Sequence, residues 1–150
     1  PCNFVNIVRG VISELEYSAA NKGANLTSTM DGTFPEMNLD RQRITFAIRG
    51  LVENAIKFTP SGGTITLAGI IDGKTVRLAV TDTGRGIPRE ELPKVFEKFY
   101  QVDPDNTGQI RGFGLGLFYA RQFVNSHGGR LLLDSDPGHR TVATIELPLA

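Results

Sequence analysis

Cys2 is the only cysteine among 150 residues. That excludes an internal disulfide, a cysteine-based zinc site and a CxxC redox pair, and it points to a reducing, cytoplasmic setting. No run of about 18 apolar residues occurs, so no segment reads as a membrane span and no direct membrane contact is expected. The start at Pro1 carries no signal-peptide pattern, and the chain is expected to be a piece of a longer protein. Neither sign of charge is in excess, with 16 Lys+Arg against 16 Asp+Glu. This removes the electrostatic case for a nucleic-acid binder, which needs a basic surplus. Repeats and low-complexity segments are missing too. What is present is a globular composition, 40% hydrophobic and 21% charged, at a length that fits one domain over 1–150.

Helical spacing of Val8, Val11, Ile12, Leu15 and Ala19 predicts a helix from Phe4 to Asn21, stopped by Gly23. A short polar strand is expected over Asn25 to Met30. Asp40 is a good N-cap for a second helix with the stripe Ile44, Ile48, Leu51, Ala55 and Phe58, which Pro60 ends. Strands follow at Thr64 to Ile71 and Thr75 to Asp82, with Asp72-Gly73 as the hairpin signal between them. An aromatic helical patch is expected at Leu92 to Tyr100, and Asp103 to Gly108 reads as a loop. A last helix begins near Leu115, buries Phe113, Leu117, Ala120 and Val124, and stops at Gly128-Gly129. Two strands, Leu131 to Ser135 and Thr141 to Leu147, close the chain. Helices alternating with hairpin-linked strands suggest an α+β fold, a two-layer sandwich.

Two nucleotide motifs are decoys. Ala68 to Thr75 (AGIIDGKT) matches a relaxed P-loop, but a β-branched strand follows where a phosphate-binding helix N-terminus is required. Lys74 therefore reads as a hairpin-tip lysine. GxGxxG also fails, because Arg89 and Leu117 stand where third glycines belong.

A different set remains. Val76, Leu78, Val80 and Asp82 share one strand face, so Asp82 points toward the core. A carboxylate there needs a donor. An Asx-turn amide or a ligand's exocyclic amine, such as that of adenine, would serve, and the following Gly84-x-Gly86 allows close backbone approach. On the second helix, at ~100° per residue, Asn54 and Lys57 lie side by side with Ala47 and Gly50 on that flank, while Glu53 faces solvent. Amide oxygen beside ammonium suits Mg²⁺ and a phosphate chain; a solvated helix flank is the plainer reading. Gly112, Gly114 and Gly116 precede a helix, where bare backbone donors bind anions or glycines merely allow close packing.

Together the segments LVENAIKFTP, DTGRGIP, VFEKFY and GFGLGL resemble, in order, the N, G1, F and G2 boxes of sensor histidine kinases. More widely, they resemble the ATP-binding fold shared with gyrase B, Hsp90 and MutL. The resemblance implies a mixed sheet covered on one face by helices, binding ATP with Mg²⁺. It implies Asn54 as the Mg²⁺ ligand and Lys57 as the phosphate contact, these two carrying catalysis. Asp82 would read adenine, with Gly84, Gly86 and Ile87 against the base and Phe58 nearby. Gly112, Gly114 and Gly116 would be the phosphate-side glycines, with Leu117 at the pocket wall and Leu115 also binding ATP. Phe96, Phe99 and Tyr100 match the F box of a lid, and Arg111 would reach phosphate from it.

Two positions depart from the pattern: Gly50 stands where many relatives have a polar residue, and Gln101 where many have a basic one. Gly50 also lacks the carboxylate with which the gyrase branch orients water, so the domain reads as a phosphoryl donor to a separate acceptor. The resemblance implies a histidine on a phosphoacceptor and dimerisation domain of the same protein, and a response regulator downstream. His127, at a helix C-terminus, reads as a partly charged imidazole suited to the macrodipole rather than as that acceptor. The alternatives are a stand-alone ATPase of the gyrase or MutL type and a non-catalytic ATP-sensing module. A serine kinase of the anti-sigma or mitochondrial dehydrogenase-kinase type shares the fold.

Overall fold

A computed structural model describes residues 1–84, 116–136 and 139–149. Helix α1 (Phe4–Lys22) begins where Oδ1 of Asn3 accepts the Asn6 N–H at 3.1 Å and ends at Gly23, whose φ of 82° only glycine adopts without strain. Its buried residues, Phe4, Ile7, Val8, Val11, Leu15 and Ala19, recur at helical spacing and form one face. Helix α2 (Arg41–Phe58) is capped by Asp40, whose Oδ1 accepts the Arg43 N–H at 3.1 Å. It buries Ile44, Ala47, Ile48, Leu51, Val52, Ala55 and Ile56. That face is broader than the expected stripe, because α2 packs against α1, the sheet and α3 (Gly116–Ser126) at once. Ala47 joins the core instead of the Asn54 flank, and Phe58 is only half-buried.

Five strands form the main sheet: β2 (Asn25–Met30), β4 (Thr64–Asp72), β5 (Thr75–Asp82), β6 (Arg130–Asp136) and β7 (Arg140–Pro148). Their spatial order is β2-β4-β5-β7-β6, with β2 and β4 parallel and the other pairs antiparallel. The sheet is therefore mixed, and the expected α+β sandwich holds. In β5, Val76, Leu78 and Val80 are at most 2% exposed, while Thr75, Arg77, Ala79 and Thr81 alternate onto the other face.

Asp72 pairs with Thr75, so the hairpin turns on Gly73 and Lys74 rather than on Asp72-Gly73. Lys74 sits at that tip and its carbonyl accepts the Leu149 N–H, which disposes of the P-loop reading. Not expected was a two-residue pair, β1 (Cys2–Asn3) with β3 (Glu36–Met37), seated by the buried Met37. The aromatic patch at Leu92 to Tyr100 and the loop at Asp103 to Gly108 lie outside the described residues.

Candidate functional site

Of the candidate residues that the structure describes, Asp82 and Gly84 at the end of β5 meet the end of α2 that carries Asn54, Lys57 and Phe58. Parity carries Asp82 to the core side of the sheet, where it is 6% exposed. Its Oδ1 accepts the Gly84 N–H at 2.9 Å, so the Asx-turn reading holds for that oxygen. Among the described residues no other hydrogen bond reaches the carboxylate. Burial pushes the Asp82 carboxyl above its ordinary range, and the Gly84 N–H opposes the shift. Such a group favours an additional donor.

Gly84 ties this turn to the helix. A Cβ built on it would lie 2.6 Å from the Phe58 carbonyl oxygen and 2.7 Å from Oδ1 of Asp82. Only a bare backbone fits, so the glycine is required by contact and not merely by turn geometry. Thr83 holds the other side, since its Oγ1 accepts the Thr64 N–H at 3.0 Å and its own N–H donates to the Thr64 carbonyl. Gly63 is equally confined, with a hypothetical Cβ 2.4 Å from Cγ2 of Thr59 and 2.9 Å from Oγ1 of Thr83.

Asn54 and Lys57 are half-buried on the last turns of α2, and Glu53 is exposed, as the helical wheel predicts. The Lys57 ammonium lies 5.3 Å from the Phe58 ring centroid, close enough for a cation–π contact. Glu53 belongs to a charged group with Arg49 and Glu14, which are joined at 2.7 Å. Partial burial of its carboxyl raises Glu53 above the ordinary range, Arg49 opposes this and Glu14 adds to it. Gly116 opens α3, and Leu117 is half-buried against the core. Gly86, Ile87, Tyr100, Arg111, Gly112, Gly114 and Leu115 lie outside the described residues, as do Phe96, Phe99 and Gln101.

Thr59 escaped the sequence reading. It is fully buried, and its hydroxyl has no hydrogen-bond partner among the described residues. A threonine directly before Pro60 reads as ordinary helix termination, so its sequence context carries no sign of this burial.

His127 corrects an expectation. The Asp40 N–H donates to its Nε2 at 2.9 Å, so that nitrogen carries no proton. Nδ1 lies 2.7 Å from the Phe123 carbonyl oxygen and must therefore hold the hydrogen. The ring is a neutral bridge between α3 and the cap of α2, not a charged partner for a helix dipole. Both of its nitrogens are engaged.

Residues 39–150 match the family model described as histidine kinase-, DNA gyrase B-, and HSP90-like ATPase. The chain belongs to this family. Sensor histidine kinase WalK of Bacillus subtilis is 36% identical over 114 residues, which is 75% of this chain and 19% of that protein. Full-length ShkA, solved in complex with AMPPNP, is 28% identical and superposes with a TM-score of 0.87 over 100% of this chain and 31% of its own. Histidine kinase ThkA, solved in complex with the response regulator protein TrrA, is 25% identical with a TM-score of 0.81, covering 99% of this chain and 41% of that one. The chain thus spans between 19% and 41% of the length of these kinases. The gyrase-like and kinase-like members differ in chemistry, so membership fixes an ATP-binding fold before it fixes a reaction.

Proposed function

We propose that this chain is the ATP-binding, phosphoryl-donating unit of a sensor histidine kinase, passing the γ-phosphoryl group to a histidine on a separate domain. The observation that carries the reading is the seating of the Asp82–Gly84 turn on the last turn of α2. It brings an acceptor suited to adenine's amine against the helix end that bears Asn54, Lys57 and Phe58. One end of the arrangement selects a base and the other neutralises phosphates. The kinases solved with AMPPNP and with a response regulator support the reading.

The residues present fit a magnesium nucleotide. A divalent ion would take the amide oxygen of the half-buried Asn54, a hard neutral donor, and complete its shell from phosphates and water. Bound there, Mg²⁺ would neutralise phosphate charge during transfer. Asn54 orients the phosphate chain, and Lys57 balances the charge that develops on the transferring group. Asp82 fixes the base and thereby the register of the triphosphate along α2. Gly50 supplies no general base one turn before Asn54, which favours transfer to an acceptor over hydrolysis by this chain alone. The two histidines, His127 before Gly128-Gly129 and His139 before Arg140, lack the acidic residue that follows the histidine of a phosphoacceptor helix, so the acceptor belongs to another domain and a response regulator follows it.

No helix among the described residues is long and apolar enough to cross a membrane. We place the domain in the cytoplasm on its single cysteine and its ATP chemistry.

The test is transfer of labelled phosphate from Mg·ATP to an added phosphoacceptor domain. Wild-type chain should label its histidine, and Asn54→Ala should lower the rate about a hundredfold or more, as loss of a metal and phosphate anchor does. Labelling by Asn54→Ala at the wild-type rate would remove the catalytic assignment. Steady ATP turnover without an acceptor would favour the stand-alone ATPase instead.

A further inference from the structure

Helix α2 leaves four carbonyls, those of residues 55 to 58, without partners from its own turns. The Ala55 oxygen accepts the Thr59 N–H at 3.0 Å. The Ile56 oxygen would normally take the N–H four residues on, but that residue is Pro60, which has none. The Lys57 oxygen has no helical continuation either, because Thr59 is already extended at φ −89°, ψ 124°. A side chain from another helix fills both vacancies. Nζ of Lys22 donates to the Ile56 oxygen at 2.7 Å and also to the Lys57 oxygen. The Phe58 oxygen faces Gly84.

Lys22 is held where it can do this. It is the last residue of α1, directly before the left-handed turn at Gly23. The Gly62 N–H donates to the Gly23 oxygen at 2.8 Å, and the Asn25 N–H to the Gly63 oxygen at 2.9 Å. The corner after α1 is thus stitched to the corner after α2. An ammonium at a helix C-terminus also opposes the negative end of the dipole, and hydrogen bonds from a charged donor are stronger than neutral ones.

We propose that Lys22 is a positioning residue for the phosphate end of the nucleotide site: by capping the Ile56 and Lys57 carbonyls left open at the end of α2, it holds the turn from which Lys57 acts. The inference rests on the functional reading above. It treats α1 as part of the catalytic apparatus although α1 carries none of the family's nucleotide boxes. Helix ends fray when their carbonyls are left open, so without Lys22 the Lys57 ammonium loses its fixed base and phosphate affinity falls, while the Asp82 end keeps its separate anchor to β4 through the two Thr83–Thr64 bonds.

The experiment compares wild-type chain with Lys22→Met and Lys22→Arg by isothermal titration with Mg·AMPPNP and with adenosine, and by amide exchange without nucleotide. Lys22→Met should weaken AMPPNP about tenfold, the scale of one or two lost hydrogen bonds, and adenosine less than about twofold. Exchange at the Phe58 and Thr59 amides should quicken before any nucleotide is added, a change that a purely electrostatic Lys22 would not produce. Lys22→Arg, which keeps charge and donors, should restore both readouts. Should Lys22→Met fail to fold, Lys22→Gln, with a neutral amide donor, should show a smaller loss of the same kind. Equal loss of AMPPNP and adenosine, unchanged exchange, or no rescue by arginine overturns the inference. If wild-type chain binds AMPPNP and Lys22→Met binds it equally well, this inference alone fails. A wild-type chain that binds neither ligand overturns the functional reading first.

Discussion

The Gly84 N–H donates to Oδ1 of Asp82 at 2.9 Å, and the carboxylate that receives it is 6% exposed. One oxygen is thereby spent on the turn, and in the proposed function the other, which no hydrogen bond from the described residues reaches, accepts the ligand's amine. Asp82→Asn separates the two duties, because the amide oxygen can keep the Gly84 bond while the NH₂ opposes an incoming amine. Nucleotide affinity should fall about ten- to a hundredfold, the cost of facing a buried donor with a donor.

Stability should move the other way. Burial raises the Asp82 carboxyl in the folded chain, so the folded state binds its proton more tightly than the unfolded state does. The ionised group therefore opposes folding at neutral pH, and this opposition fades as pH falls through the folded-state value. Asp82→Asn should raise the unfolding midpoint near neutrality and lose that advantage in acid. A midpoint lowered at neutral pH would show that the carboxylate contributes to folding instead.

Gly84→Ala tests the junction between strand and helix. The new methyl would meet the Phe58 carbonyl at 2.6 Å, a main-chain atom that cannot swing aside. Relief requires the turn to lift off α2, at about 1–3 kcal/mol for overpacking of this kind. Urea unfolding should register that loss, and adenosine titration should show weakened binding at the Asp82 end. Wild-type values in both would mean that the turn is not seated as described.

Much of this arrangement is legible in the sequence because its causes are local. Parity along Thr75 to Asp82 puts the carboxylate inside, Asp40 announces the start of α2, and the wheel separates Asn54 and Lys57 from Glu53. The illegible parts are set by partners far along the chain. Lys22 meets carbonyls 34 and 35 positions away, and His127 meets the Asp40 amide 87 positions away. Neither has a periodic signature, since one polar side chain fits any exposed helix end equally well. The β1–β3 pair was hidden for a related reason: two-residue strands are too short to show alternation, and burial of Met37 depends on tertiary packing.

His127 yields its own prediction. Its ring joins the Phe123 carbonyl at 2.7 Å to the Asp40 amide at 2.9 Å, and Phe123 also packs edge-on against Phe46. His127→Ala removes both bonds at the α2–α3 seam and should cost about 1–2 kcal/mol in urea unfolding, with nucleotide affinity unchanged. Imidazole ¹⁵N shifts should show hydrogen on Nδ1. Phosphate found on His127 after incubation with Mg·ATP would contradict its role as a bridge.

On the sheet face away from the helices, Arg77, Glu146 and Arg130 lie in one row across β5, β7 and β6. Oε1 of Glu146 meets Nε of Arg130 at 2.6 Å, and Oε2 meets Nε of Arg77 at 3.0 Å; Arg77 reaches Asp72 as well, at 3.1 Å. The bond from Arg130, and then that from Arg77, hold the Glu146 carboxyl below its ordinary range. A carboxyl lowered on folding stabilises the fold above its unfolded value, and the gain disappears as pH falls through the folded one. Glu146→Gln keeps the shape and removes the titration. Its unfolding midpoint should lie below wild type near neutrality and converge with it in acid, while adenosine affinity stays unchanged because the row is on the far side of the sheet from Asp82. Midpoints followed from about pH 3 to pH 7, the span over which carboxylates ionise, check this. A constant offset across that span would mean that packing, not charge, accounts for the effect of Glu146.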